Sequence, residues 1–462
     1  MAIPASVQKV LDDWKVRYSV TDDLQNEHVM VETGNRPANL AKVIFLKDSA
    51  GLVQAVIPSN RILDLNLISH RLGRQFTAVG AAELSRLKQQ LGLEDFPALP
   101  QLTGQESLVD QSLLDYDHLL IQAGQGDTQL KLPADQFRAL TVSSHIGSYS
   151  VPVQIDIHYS DADSDKEDIH AAVRQFTPLR IQQRLQDTLD LPPLPETAHR
   201  IIELRIDPDA DTVSLARAIE TDPSISAQVM SWARSPYYRP RGMVNNVEDA
   251  VLRVLGFDLV MNLSLGLSLG RSLAIPREGP HGYTPFWQQA VMGAALNNEL
   301  ARKIKGKLRP DAGLAYLAGL LHNFGFLVLG QVFPPQFSLV NRHIEANPHI
   351  NRFYIERHLL GVCREQIAAT LLRQWQLPDE IVIALRQQHN PFYCGNHANY
   401  AHLNYVMTRA LRRHGYGDGP DETPDPNILE ALGLTLATVD EVTSELLNHV
   451  GELSELVTLL ER

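Results

Sequence analysis

The chain has 462 residues, 44% of them hydrophobic and 21% charged, with a formal net charge of −13. That length exceeds one ordinary core and predicts two or three domains of a soluble globular protein, with no apolar run of some ~18 residues to read as a membrane span. The acidic balance opposes non-specific nucleic-acid binding, which needs a basic face to release counterions.

Only Cys363 and Cys394 occur, with no CxxC, which excludes a disulfide scaffold and a thiolate zinc site. The opening MAIPASVQKVLDDWK brings charges early and has no apolar h-region, so no export signal is expected and a reducing cytoplasm fits.

In chain order, Val7, Val10, Leu11 and Trp14 fall at helical spacing behind Pro4. AKVIFLKDSAGLVQAVIP predicts a hairpin, two β-branched apolar runs joined by Asp-Ser-Ala-Gly. LDLNLISHRLG and AAELSRLKQQLG predict short amphipathic helices, each closed by Gly. HLLIQAG and TQLKLP predict strands about a Gly-Gln-Gly turn, followed by the small helix ADQFRAL. Strands interleaved with short helices predict a mixed α/β domain over residues 1–157. The polar stretch 158–176 reads as a linker with helical character near its end.

From Thr177 strand signals nearly vanish, and residues 177–462 predict an all-α domain. LARAIETDPSISAQVMSWARSPYY gives two helices broken at Asp-Pro, and NVEDAVLRVLGFDLVMNLSLGLSL a pair divided at Gly256. LAYLAGLLHNFGFLVLGQVF reads as a long helical stretch with His322-Asn323 at its middle. A capping box from Thr438 to Glu441 opens the last helix, whose Leu446, Val450, Leu453, Val457 and Leu460 suit core or homodimer packing. GxxxxGK[ST], GxGxxG before a helix and HExxH are absent, so nucleotide hydrolysis and dinucleotide redox lack support.

LPPLPETAHRII, ETDPSISAQVMSWARSPYY, VEDAVLRVLGFDLVMNL, LAGLLHNFG and LLGVCREQIAATLLRQWQLPDEIVIALRQQHNP together resemble the HDOD domain over residues 179–410. That domain is a regulatory relative of the HD phosphohydrolases, whose metal centre needs several imidazoles and a bridging carboxylate. Carried over one by one, the ligand positions fall on Gln289, His322-Asn323, Arg364 and Gln388-His389. Asn323 is neutral and cannot balance a dication, and Arg364 is a fixed cation. The resemblance thus implies a degenerate pocket of Gln289, His322, Asn323, Arg364 and His389, with no metal and no cofactor. Its residues either face a signal or partner, or hydrogen-bond one another in the core.

LAKVIFLKDSAGLVQAVIPSNRILDLNLISHRLG and SLVDQSLLDYDHLLIQAGQGDTQLKLPADQFRAL make residues 1–142 resemble the YbaK/ProX-type domain that hydrolyses mischarged aminoacyl-tRNA. An aminoacyl ester is already activated, so placing a water and stabilising the oxyanion suffices. The resemblance implies Lys42 as the catalytic lysine, and Arg61, Gly92, Pro97, Gly124 and Gly126 around the substrate. From its sequence alone, a lysine at a strand start is a solvated edge residue. Val43 stands where the family has Thr or Ser, and GLEDFP is one residue longer than the family's Gly-x-x-x-Pro loop. Residues 1–160 hold 13 Lys/Arg against 18 Asp/Glu, which speaks against phosphate binding.

Two functions are therefore expected. One is a deacylase acting on the aminoacyl end of tRNA, adjusted by a metal-free HDOD domain with a protein partner. The other is a signal-transduction or scaffold protein in which both domains only bind.

Overall fold

The computed structural model describes residues 3–21, 39–126, 128–153, 162–176, 193–238, 242–276, 279–280, 284–306 and 309–460. They form two compact units. The first comprises Met1–Ile157, Gly279–Gly282 and Ser338–Leu359; the second comprises His158–Glu278, Tyr283–Phe337 and Leu360–Arg462. The first mixes strands and helices, and the described residues of the second hold helices and no strand.

The first unit is built on β1 (Ser19–Thr21), β2 (Ala41–Lys47), β3 (Leu52–Pro58), β4 (Arg61–Leu63), β5 (Thr77–Ala78), β6 (Glu106–Asp110), β7 (His118–Gln122), β8 (Gln129–Pro133), β9 (His145–Gly147) and β10 (Ser150–Pro152). The main sheet has the order β5-β2-β3-β6-β9; β1-β8-β7 and β10-β4 are smaller sheets. The expected hairpin is β2–β3, antiparallel with Lys42 opposite Ile57. Asp48 closes its turn by accepting from the Ala50 and Gly51 amides, and is itself held by Arg74.

Both faces of β2–β3 are covered. Ala41, Phe45, Val56 and Val109 join one cluster with Val7, Leu11, Phe96 and Phe137. Ile44, Leu46, Val53, Ile57 and Leu108 join a second cluster with Ile68, Phe76 and Ala346. Period-2 alternation sorts the side chains, and burial on both sides makes VIFL read as a continuous apolar run.

Residues 338–359 lie inside the span expected to be the helical domain, yet they pack in the first unit. The reason is polar. The Asn347 carboxamide accepts the Leu63 N–H at 2.7 Å and donates to the Leu63 carbonyl at 3.0 Å, acting as a surrogate strand on β4. His343 Nε2 accepts the Leu65 N–H at 3.2 Å, and His349 Nε2 lies 3.1 Å from the Arg61 carbonyl. Buried backbone groups need such partners, whichever segment supplies them.

In the second unit, the stretch 158–176 expected to be a linker contains a 15-residue helix, Ala162–Phe176. Its Asp165 is buried and makes a two-pronged ion pair with Arg386, at 2.6 and 2.8 Å, and accepts from Gln366 at 2.9 Å. Residues 154–161 and 177–192, with the rest of that linker and the start of LPPLPETAHRII, lie outside the described residues.

The Asp-Pro break separates Thr212–Glu220 from Pro223–Arg234, with Asp222 capping the second helix and Pro223 in its first turn. The stretch around His322-Asn323 is two helices, Ala312–Leu321 and Phe324–Val332, so the pair sits at a break. Ala312–Gln331 is apolar and long enough to cross a membrane by composition, and it is mostly buried inside the fold. The last helix also differs from expectation. Its N-cap is Thr435, whose hydroxyl accepts the Thr438 N–H, and the chain forms two helices, Leu436–Leu447 and Val450–Leu460. Threonine at both 435 and 438 made the cap position ambiguous by one turn.

Candidate functional site

Around Lys42 in the first unit, the loop 92–97 and the turn 124–126 are stitched together. Gly92 closes the helix Ala81–Leu91 in the left-handed region at φ 68°. The Gly124 carbonyl accepts the Glu94 N–H at 2.8 Å, and the Gly126 N–H donates to Glu94 Oε2 at 2.8 Å. Gly124 itself is at φ +99°, and a Cβ there would meet Leu93 Cδ2 at 2.8 Å and Pro97 Cγ at 3.3 Å. Glycine is thus required twice over at this position.

Within that loop, Asp95 reaches the strand. Lys42 Nζ donates to Asp95 Oδ2 at 3.2 Å, with the two side chains 25% and 44% exposed. A half-exposed pair adds little stability, but it gives the ammonium a fixed counter-ion. The Gly126 amide, which the family resemblance offers to substrate, already has a carboxylate acceptor. Arg61 is not drawn into this group: its guanidinium donates to Ser150 Oγ at 2.8 Å and to the Ser150 carbonyl at 2.7 Å. Structure therefore unites Lys42, Gly92, Pro97, Gly124 and Gly126 through the 92–97 loop, and holds Arg61 to β10.

The second unit brings together Gln289, Asn323 and Arg364, all buried. Gln289 Nε2 donates to the Thr284 carbonyl at 2.7 Å, and its Oε1 accepts from Asn323 Nδ2 at 3.2 Å. Arg364 Nη1 donates to Asn323 Oδ1 and to Asp418 Oδ2, each at 3.1 Å. Its guanidinium also lies over the Phe326 ring, 5.3 Å from the centroid. Gly325 permits this approach, since a Cβ there would lie 2.4 Å from the Arg364 carbonyl oxygen.

His322 and His389 belong to an adjoining layer. His322 Nδ1 donates to the Gly319 carbonyl at 2.7 Å, and the His322 carbonyl accepts from Gln388 Nε2 at 2.9 Å. His389 Nε2 lies 3.2 Å from Glu365 Oε1. Sequence reasoning missed Asp418 and Glu365. Glu365 adjoins a position already singled out, whereas Asp418 in GYGDGP gives no sequence signal of its own.

These residues do not fit a divalent ion. The bridging position carries an amide, and a guanidinium that cannot lose its proton sits 3.1 Å from it. Among the described residues, no group of three or more His, Cys, Asp or Glu side chains is placed to hold a metal ion. The arrangement is a hydrogen-bonded core in which Arg364 supplies the positive charge and Asp418 balances it.

A family model described as HDOD domain matches residues 191–391, and one described as Aminoacyl-tRNA editing domain matches residues 26–140. The chain is 42% identical to a solved candidate signal transduction protein from Marinobacter aquaeolei VT8, covering 100% of both chains with a TM-score of 0.90. A solved HDOD domain protein with unknown function from Geobacter sulfurreducens is 22% identical over 64% of this chain and 99% of its own, with a TM-score of 0.48. An uncharacterized protein of Treponema pallidum (strain Nichols) is 24% identical over 204 residues, 44% of this chain. That match spans 38% of the relative's own length.

The expectation of an aminoacyl-tRNA deacylase is corrected by these findings. The full-length relative is a candidate signal transduction protein. No cluster suited to metal catalysis stands in the described helical residues, and Lys42 is paired with Asp95.

Proposed function

We infer that the chain acts in signal transduction by binding, from the premise that it belongs to the family of proteins in which an aminoacyl-tRNA editing-type domain precedes an HDOD domain. Both domains serve as recognition bodies, and neither turns over a substrate. The observation that carries this reading is the match along the entire chain to the Marinobacter protein, at 42% identity.

Two features of the chain support it. Each position that the HD enzymes use for chemistry is taken here by a residue engaged in internal hydrogen bonds, Arg364 above all. The editing-type domain keeps its shape, but its lysine has an internal counter-ion and its glycine turn an internal acceptor.

The test is release of amino acid from a panel of mischarged tRNAs by the full chain, wild type beside Lys42→Ala. The reading predicts equal, background-level release in both. Turnover by the wild type that disappears in the variant would overturn it.

A further inference from the structure

The C-terminal helices do more than extend the helical core. With the Tyr237-Tyr238 pair and the helix Phe286–Lys303, they line a half-open cavity of about 400 Å³ within the second unit. That volume falls within the range of small-molecule sites. Val442, Glu445, Leu446 and His449 form one wall, and all four lie beyond residue 391, where the HDOD match ends. This cavity is thus a feature of the chain's own architecture, separate from the Arg364 network and independent of the function inferred above.

Its lining sorts by chemistry. Leu255, Leu259 and Leu446 contribute an aliphatic floor, and Tyr237 an aromatic wall with its ring edge-on to His449. Leu255 ends a π-helical turn, Val251–Leu255, closed by the Gly256 N–H bonding to the Val251 carbonyl at 2.9 Å. Such turns are rare and cluster at functional sites.

The charges decide the ligand. Arg302 lies 3.5 Å from Glu299, which also accepts from Asn298 at 3.0 Å, so this guanidinium is already matched. His449 is 3.2 Å from Glu452. Glu445 is exposed and makes no hydrogen bond or ion pair among the described residues, leaving one carboxylate in excess at the cavity. A carboxylate beside an aromatic ring attracts a cation, and an anionic ligand would meet that one excess carboxylate with no unmatched arginine to offset it.

We propose that this cavity binds a small organic ammonium ion with an apolar or aromatic body, its charge against Glu445 and the Tyr237 ring and its body on the leucine floor.

Calorimetric titration of the full chain with tyramine, and with 4-hydroxyphenylacetate as the anion of matched shape, tests this. Tyramine is expected to saturate one site and the anion to give no binding heat. Glu445→Gln, a change at an exposed side chain, should weaken tyramine about tenfold. Arg302→Gln should leave tyramine affinity unchanged or tighten it by freeing Glu299. Equal affinity for the two probes, unchanged affinity in Glu445→Gln, or no saturation by tyramine at about 10 mM, beyond the ~1 mM expected of so few contacts, overturns the proposal.

Discussion

Arg364 Nη1 lies 3.1 Å from Asp418 Oδ2, and both residues are buried in the helical unit. The pair joins the helix Arg364–Gln374 to the 413–425 segment, and through Asn323 and Gln289 it reaches two more helices. Removing one partner from a buried ion pair leaves an uncompensated charge, whereas replacing both with apolar groups removes the desolvation cost as well. Asp418→Asn should therefore cost about 3 kcal/mol in urea unfolding of the helical unit. The double change Arg364→Met with Asp418→Leu should cost less than that single change.

A second ion pair makes the helix Ala162–Phe176 part of this unit. Asp165 and Arg386 are almost wholly buried, and burial, which alone would lower the Arg386 pKa, is outweighed by the Asp165 hydrogen bond together with the nearby charges of Asp165, Glu365 and Cys363, so it is raised. Asp165→Ala should release the helix, seen as faster amide exchange over residues 162–176 by about a hundredfold. Exchange over residues 286–303 should change far less.

The first unit should depend on pH through Asp64. Burial pushes its carboxyl up, but the neighbouring His343 and His358 imidazoles and the Leu67 N–H outweigh that and hold it well below the usual carboxylate range. A carboxyl lowered in the folded state stabilises above its unfolded value of about 3.9, and that contribution is lost as pH falls toward the folded value. Protection of residues 61–68 and 343–358 from exchange should therefore decline below about pH 4. Asp64→Asn keeps a competent cap for the helix Leu65–Leu72, but should cost about 2 kcal/mol at neutral pH and lose that acid dependence.

Gly124 and Gly126 separate two effects of adding a methyl group. Both have positive φ, but only at Gly124 would a Cβ strike neighbours, whereas at Gly126 it meets open space. Gly126→Ala should cost about 1 kcal/mol, and Gly124→Ala about 2–3 kcal/mol with loosening of the 92–97 loop. Thermal unfolding of the two variants side by side reads the difference.

Much of this architecture was legible in the residues. Pro223 after Asp222 marked a helix start, Gly73 and Gly92 marked helix ends, and VIFL with VQAVIP marked the central hairpin. Period and turn chemistry are local, so the sequence carries them openly. Membership of a unit is not local. His343 and Asn347 stand four apart like any polar helical face, with His349 two residues on, and nothing in that spacing says their partners are Leu65, Leu63 and Arg61.

The same limit applies to the helical pocket. Gln289, Asn323 and Arg364 were found through the family's ligand positions, but the counter-charge Asp418 is 54 residues from Arg364 in a glycine-rich stretch. Likewise the Lys42–Asp95 pair joins residues 53 apart, and only the folded GLEDFP loop brings them together. Function was legible as two alternatives, and the full-length relative, a candidate signal transduction protein, favours the second.

The central claim is that Arg364 and Asp418 hold the place of a catalytic metal, so that the helical domain binds and does not cleave. Hydrolysis of bis(4-nitrophenyl) phosphate by the full chain, measured across a Mn²⁺ titration and again with EDTA, tests it most directly. The account predicts rates equal to the protein-free control at every Mn²⁺ concentration and with chelator. Saturable, Mn²⁺-dependent hydrolysis that EDTA abolishes and His322→Ala removes would contradict it.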